Sequence, residues 1–238
     1  MYKRQLVSWY VERLADQAAV IANNNAEIGR YFSPGVKEKI TKEGLSSVKN
    51  KKNQSMVAFL FTDINKVSSI TESMDPEDVL ELVSQYQTKM VAAIFASGGT
   101  VDKFIGDAVM ATFGTPVSRG NDAQNAFECS RLMQVSMRRW AKEREEQNLP
   151  VVSHRIDIHF GEFVIGNIGS DERREYTVLG DAGNLASRLC DACEDFDTEL
   201  LISEEDKNRL SENTESNAIT DFPIRGRKSK KSVYALSV

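Results

Sequence analysis

Hydrophobic and polar positions along this chain form short strand-like runs separated by longer helical patterns. The first run, Val57–Ile64, is rich in Phe and Val and has the length of a buried strand. Two further runs, Val101–Ile105 and Ala108–Phe113, flank Gly106 and Asp107. A glycine between two apolar runs is typical of a hairpin turn, so these runs predict a pair of neighbouring antiparallel strands.

The helical patterns alternate with the strands. One predicted helix, Pro76–Ala96, begins directly after Asp75, and a second covers Arg119–Asn148. The remaining strand-like segments are Ile156–Phe160, Phe163–Ile168 and Ser232–Leu236. The resulting order predicts an α+β fold, in which helices flank a mostly antiparallel, ferredoxin-like sheet.

A heptad pattern precedes this domain. Its seam positions follow one another at alternating spacings of four and three: Val7, Val11, Leu14, Ala18, Ile21, Asn25, Ile28 and Phe32. This seam with a single Asn predicts a parallel two-stranded dimerising helix; the alternative is an amphipathic helix packed on its own domain. We therefore divide the chain into a helix and connector (1–45), a polar linker (46–55) and a globular domain (56–238).

Composition narrows the class of protein. A chain of 238 residues with 41% hydrophobic content can bury a full core, and a net charge of −5 argues against general nucleic-acid binding. We see no signal peptide and no run of about 20 apolar residues, so we expect a cytoplasmic protein without a membrane segment. Three cysteines do not suggest a disulfide framework, and we expect Cys190 and Cys193 to be reduced thiols rather than zinc or redox ligands.

Four polar residues carry the candidate chemistry. Asp63 ends the first strand and Asp107 follows the glycine of the hairpin, so neighbouring strands would bring both carboxylates to one edge of the sheet. Two such carboxylates suit Mg²⁺ together with substrate phosphates, although each alone fits an ordinary turn. Asn184 and Arg188 share one face of a helix that begins near Asp181; they suit a sugar and a phosphate, or an ordinary solvated face.

Together these segments resemble the class III nucleotidyl cyclases, the adenylyl and guanylyl cyclase catalytic domain, from about Tyr31 to Tyr234. The resemblance is carried by Arg30–Pro34, Phe61–Ile64, Lys103–Asp107, Gly166–Ser170 and the helix with Asn184 and Arg188. Several ordered motifs at the family's spacing make the match specific.

The resemblance implies a role for each matching residue. Asp63, Asp107 and the Ile64 carbonyl would hold two Mg²⁺ or Mn²⁺ ions per active site. Lys103 and Thr177 would recognise the purine, Asn184 would orient the ribose, and Arg188 would stabilise charge on the reacting phosphate. Lys103 can donate to adenine N1 and Thr177 can accept from the adenine amino group, so we expect ATP as the substrate.

The implied function is that of an adenylyl cyclase, which forms 3′,5′-cyclic AMP and pyrophosphate from ATP. The implied architecture is a parallel homodimer with shared active sites, controlled by an upstream sensor through the N-terminal helix. Two alternatives stay open: a guanylyl cyclase, and a catalytically impaired nucleotide-binding or dimerisation module. A diguanylate cyclase is disfavoured because the hairpin at Ile105–Ala108 lacks that family's turn sequence.

Two regions depart from the family pattern or leave a role open. Lys66 and Val67 stand where the family usually has glycine and an aromatic residue; Lys66 could add charge to the phosphate site or distort the helix N-terminus beside it. Arg227 belongs to a basic cluster before the last strand. It could reach the triphosphate, or it could lie in an exposed turn.

Overall fold

The computed structural model describes most of the region from residue 34 onward. The described ranges are 34–43, 53–72, 74–170, 174–179, 198–211, 214–222 and 231–236, together with Arg13, Glu172, Cys193 and Phe196. The heptad segment therefore lies outside the described residues, apart from Arg13. Among the residues described, no helix combines the length and the apolar character that a bilayer crossing requires.

Five helices and eight strands are assigned within these ranges. The helices are α1 (Pro34–Glu43), α2 (Val67–Thr71), α3 (Pro76–Ala96), α4 (Asp122–Glu146) and α5 (Glu204–Lys207). The strands are β1 (Asn53–Ile64), β2 (Thr100–Ile105), β3 (Ala108–Phe113), β4 (His154–Gly169), β5 (Arg174–Leu179), β6 (Leu200–Ser203), β7 (Asn217–Phe222) and β8 (Lys231–Ala235).

All eight strands belong to one sheet. Its order is β2-β3-β1-β4-β6-β8-β7, and β5 pairs with the second half of β4. Only the β4–β6 pairing is parallel among those described; every other pairing is antiparallel. The α+β fold with a mostly antiparallel sheet and flanking helices is thereby confirmed.

The main core lies between one face of this sheet and helices α3 and α4. Buried residues of α3 recur every three or four positions, so one stripe of the helix faces the sheet: Leu82, Tyr86, Met90, Ala93 and Ile94. In β1, successive side chains alternate between the two faces: Ala58 and Leu60 join the main core, whereas Val57 and Phe59 join a smaller cluster behind the sheet. Both faces of β1 are therefore buried, as its continuous apolar run predicts.

Several element boundaries differ from those predicted, and three of these differences have a bearing on the fold. Strand β1 begins at Asn53, inside the predicted linker. Helix α4 begins at Asp122 rather than Arg119, because the Asp122 carboxylate accepts hydrogen bonds from the Ser118 hydroxyl and the Arg119 N–H in the preceding turn. Strand β4 is continuous where two segments were predicted.

The continuity of β4 follows from its pairing with β1. Gly161 lies opposite Val57, so the ladder runs through the gap between the two predicted segments. A Cβ atom at Gly161 would lie 2.9 Å from Nε2 of His159. The glycine therefore permits a close approach within a strand and does not mark a turn.

Candidate active site

The two predicted metal-binding aspartates lie at one edge of the sheet. Thr62 of β1 opposes Val109 of β3, which places the end of β1 beside the β2–β3 turn. The Ile64 N–H donates a hydrogen bond to Oδ2 of Asp107 at 3.0 Å. Gly106 adopts a positive φ of 62° in that turn, a conformation that glycine accepts without strain. Asp63, Ile64 and Asp107 are therefore neighbours, as the strand pattern predicts.

Asp63 also has a partner that the sequence did not reveal. Arg155 opposes it directly across the β1–β4 ladder. The guanidinium binds the carboxylate with two hydrogen bonds, from Nε to Oδ1 at 2.7 Å and from Nη2 to Oδ2 at 3.2 Å. Arg155 thus supplies positive charge to this pair of carboxylates in addition to any divalent cation that binds there.

A buried set of hydrogen bonds holds the end of β1 in place. The Thr62 hydroxyl donates to the Arg155 carbonyl at 2.8 Å and lies 2.8 Å from the hydroxyl of Tyr86 on α3. Because a threonine hydroxyl has one proton, the Tyr86 hydroxyl is the donor in their contact. His154 Nδ1 lies 3.3 Å from the same threonine oxygen, and burial lowers the pKa of His154 to about 3. These contacts tie β1, β4 and α3 together beneath Asp63.

The donor set at this edge fits a hard divalent cation. Within the described ranges there is no cluster of three or more His, Cys, Asp or Glu side chains suited to a metal. Two carboxylates and the Ile64 carbonyl supply only oxygen ligands. Mg²⁺ commonly binds in this way, with one or two carboxylates and with substrate phosphates completing its coordination. Asp63 and Asp107 would hold the cation here.

Lys66 lies beside this edge, directly before α2. Its backbone is left-handed, with φ 51° and ψ 36°, which explains why glycine suits this position in the family pattern. Helix α2 nevertheless forms, and Val67 packs partly buried against the main core. Lys66 lines an open cleft of about 800 Å³ together with Asn65, Ser69, Ile70, Val151, Ser153, Cys193, Thr198 and Glu199. The lysine is thus placed where an anionic ligand in the cleft would meet it.

The two predicted base-recognising residues meet at a single carboxylate. The Thr177 hydroxyl on β5 donates to Oδ2 of Asp102 at 2.7 Å, and the Nζ of Lys103 on β2 lies 3.8 Å from the same oxygen. The Lys103 side chain is 30% exposed, whereas Thr177 is 3% exposed. Lys103 therefore lies nearer to the solvent, and Thr177 lies deeper in the protein.

Three predicted site residues, Asn184, Arg188 and Arg227, lie outside the described residues. Cys190 does as well, but Cys193 is described and buried, with its sulfur 3.6 Å from the Ile156 carbonyl. Burial raises the pKa of the Cys193 thiol, and it raises that of Cys129 to about 12. A raised pKa disfavours the thiolate that zinc binding or redox chemistry requires.

Sequence reasoning missed Arg155 and Asp102. The Arg155 contact depends on the β1–β4 register, which local sequence does not specify. Asp102 directly precedes Lys103, and strict strand alternation would place the two side chains on opposite faces. A register shift between Val101 and Lys103 breaks that alternation. The adjacency of a carboxylate and a lysine was the one available signal.

Comparison with known proteins identifies the family. The profile of the adenylate and guanylate cyclase catalytic domain matches residues 49–238. The chain therefore belongs to the class III nucleotide cyclase family.

Two of its sequence relatives are adenylate cyclases. The chain is 33% identical over 147 residues to adenylate cyclase 1 of Rhizobium meliloti, covering 62% of this chain and 22% of that protein. It is 36% identical over 159 residues to the adenylate cyclase of Anabaena cylindrica, covering 65% of this chain and 31% of that protein. The chain thus spans about a fifth to a third of the length of these relatives.

Solved structures that resemble this chain include cyclases of both specificities. The guanylyl cyclase Cya2 superposes with a TM-score of 0.72 at 29% identity, covering 79% of this chain and 94% of that one. The adenylyl cyclase CyaB from P. aeruginosa superposes with a TM-score of 0.74 at 27% identity, covering 79% and 97%.

Proposed function

We propose that this chain is an adenylyl cyclase that converts ATP into 3′,5′-cyclic AMP and pyrophosphate. The observation that carries the proposal is the contact of Lys103 and Thr177 with one carboxylate, since it brings together the two residues expected to recognise adenine. The adenylate cyclases among its relatives give additional support. A known guanylyl cyclase has the same fold. The preference for ATP over GTP is therefore the element of the proposal that most needs an experimental test.

Each described residue has a definite task in this proposal. Asp63, Asp107 and the Ile64 carbonyl bind the divalent cation, and Arg155 orients the Asp63 carboxylate. When bound, the cation lowers the pKa of the ribose 3′-hydroxyl and neutralises charge on the triphosphate. Lys103 and Thr177 hold the adenine edge, and Lys66 offers a positive charge to the phosphates in the neighbouring cleft.

Two residues outside the described ranges complete the proposed site. Asn184 orients the ribose so that its 3′-oxygen faces the α-phosphorus, and Arg188 stabilises negative charge on that phosphate as the bond to pyrophosphate breaks. An interaction that strengthens in the transition state affects kcat more than KM. Removal of Arg188 should therefore lower kcat with little change in KM.

The proposed assembly is a parallel homodimer. In the family, cation-binding residues from one subunit face base-recognising residues from the other. This single chain carries both sets, so two identical copies would form two equivalent sites. The N-terminal heptad seam is expected to align the copies and to receive a signal from an upstream sensor.

The direct test is product formation by the purified protein. Cyclic AMP and cyclic GMP would be measured with ATP and GTP supplied separately, each with Mg²⁺ and with Mn²⁺. We expect cyclic AMP as the main product and its loss in Asp63→Asn. Asp78→Asn changes an exposed carboxylate on α3 and serves as the matched control, with activity expected to stay at the wild-type level.

Two outcomes would contradict the proposal. Cyclic GMP as the main product would assign the chain to the guanylyl cyclases. Absence of both products at a concentration where the protein is dimeric, with retained ATP binding, would identify a nucleotide-binding module without turnover.

A further inference from the structure

The Asp102 carboxylate connects two strands that are not paired in the sheet. Its Oδ2 accepts a hydrogen bond from the Thr177 hydroxyl at 2.7 Å, and its Oδ1 accepts one from the Val178 N–H at 3.1 Å. Both donors belong to β5, whereas Asp102 belongs to β2. The Asp102 side chain is 4% exposed, so these contacts are shielded from water.

A bulge in β2 explains how Asp102 reaches this position. Val101 pairs with Ala111 and Lys103 pairs with Met110, so Asp102 is an extra residue between two successive pairs of the β2–β3 ladder. Bulges of this kind redirect side chains that regular alternation would place on opposite faces. Asp102 and Lys103 are consequently close, with Nζ 3.8 Å from Oδ2.

This contact fixes the hydrogen-bonding character of Thr177. An ionised carboxylate only accepts hydrogen bonds, and a threonine hydroxyl has a single proton to give. The proton of Thr177 is therefore directed at Asp102. Toward any further partner, the hydroxyl oxygen can only accept a hydrogen bond. Lys103, in contrast, only donates. The group offers one donor and one acceptor to a base.

Adenine and guanine differ at the edge that such a pair would face. Adenine presents the N1 acceptor and the N6 amino donor, which complement Lys103 and an accepting Thr177. Guanine presents an N1–H donor and the O6 acceptor, the opposite arrangement. A free hydroxyl could rotate to donate to O6, but a hydroxyl held by Asp102 would have to give up that bond.

We propose that Asp102 is the positioning residue that makes Thr177 a hydrogen-bond acceptor and thereby sets the preference for adenine over guanine nucleotides. This inference rests on the proposed function, because it requires Lys103 and Thr177 to face the base. A purely structural role, in which Asp102 only ties β5 to β2, would affect both nucleotides equally.

Asp102→Asn separates these two roles. The Val178 N–H still needs an acceptor, so the amide oxygen should face it and the amide nitrogen should face Thr177. The Thr177 hydroxyl then accepts a hydrogen bond from the amide group of the substituted side chain. The hydroxyl proton no longer points at residue 102 and can be donated to the base. We expect the ratio of kcat/KM for ATP over GTP to fall at least about tenfold.

Binding supplies a second readout that does not depend on turnover. The affinities for ATP and GTP would be measured by competition with a fluorescent ATP analogue, and their ratio should fall in the same direction. Asp122→Asn is the matched control, because that buried carboxylate also accepts from one side-chain hydroxyl and one backbone N–H, those of Ser118 and Arg119. Its nucleotide ratio should equal that of the wild type.

Variants of Thr177 keep the inference testable if Asp102→Asn does not fold. Thr177→Ser retains the hydroxyl and should preserve the ratio, whereas Thr177→Val removes the acceptor and should lower it by a similar factor. Equal ratios in these two variants would overturn the inference.

The outcomes also separate this inference from the proposed function. An unchanged ratio in Asp102→Asn, or an equal loss for both nucleotides, overturns the role of Asp102 while cyclic AMP formation by the wild type stands. If the wild type forms no cyclic nucleotide, the proposed function fails and the binding ratio still decides the role of Asp102. A wild-type preference for GTP contradicts both.

Discussion

Arg155 binds both carboxylate oxygens of Asp63, with Nε 2.7 Å from Oδ1 and Nη2 3.2 Å from Oδ2. Their side chains are only 16% and 17% exposed. A bidentate contact of this kind fixes the plane of the carboxylate. Each carboxylate oxygen has a second lone pair, so Asp63 can bind Arg155 and a cation together. Arg155 is thus placed to orient a metal ligand.

Arg155→Ala tests that orientation. Loss of a residue that orients a metal ligand commonly costs about 10–100-fold in metal affinity or activity. We expect the Mn²⁺ affinity, measured by calorimetry without nucleotide, to fall within that range. Arg131→Ala is the control, since it removes an exposed arginine that pairs with Glu128 at 3.4 Å. Tighter Mn²⁺ binding in Arg155→Ala would show instead that Arg155 competes with the cation.

Lys66 combines a left-handed backbone with a positive charge, and two substitutions separate these properties. Lys66→Gly and Lys66→Ala both remove the ammonium group, but only glycine accepts a φ of 51° without strain. The glycine variant should be more stable than the alanine variant by about 1 kcal/mol, measured by denaturant unfolding.

The same pair of variants reports on the phosphate site. If the lysine charge contacts the triphosphate, both variants should raise KM for ATP by about three- to tenfold. A KM that stays at the wild-type value in both would remove Lys66 from the substrate-binding residues while leaving the difference in stability intact.

Asp206 is a buried carboxyl group in α5, and burial raises its pKa to about 8 although Arg209 opposes the shift. Neither of its oxygens has a hydrogen-bond partner among the described residues. At pH 7 the folded chain must keep this group protonated, whereas the unfolded chain releases the proton. Asp206→Asn should therefore raise the free energy of unfolding at pH 7 by about 1–3 kcal/mol.

The pH dependence has a definite sign. The folded pKa lies above the unfolded value, so the wild type loses stability as the pH rises from about 4 to about 8. The advantage of Asp206→Asn should vanish near pH 4 and grow toward pH 8 in thermal unfolding. Glu204→Gln, an exposed change in the same helix, should show no such trend. A destabilised Asp206→Asn would mean that the carboxylate is ionised and held by Arg209.

The local sequence pattern was sufficient to predict the elements whose structure depends on residues nearby in the sequence. The run ending at Asp63 and the glycine before Asp107 predicted two strand ends at one edge, and the structure has them there. Helix α3 has its predicted bounds, because Asp75 and Pro76 mark its start and apolar residues repeat at helical spacing.

Contacts between strands that are far apart in the sequence could not be predicted from local pattern. Arg155 meets Asp63 only through the β1–β4 register, and Asp102 meets Thr177 only because a bulge breaks the alternation of β2. Both depend on the register of a strand ladder, β1–β4 for Arg155 and β2–β3 for the bulge at Asp102, and strand periodicity leaves that register open. The roles of Asn184, Arg188 and Arg227 stay predictions.

The long strand β4 has a consequence for communication within the proposed homodimer. Its first half carries Arg155 against Asp63, and its second half pairs Gly166 with Thr177. In that dimer, the cation-binding half and the base-recognising half of one chain would serve different active sites. A displacement of β4 on metal binding at one site would then change nucleotide affinity at the other, and the reverse effect would be equal in free energy. Strand β4 would thus couple ligand binding at one active site of the dimer to ligand binding at the other.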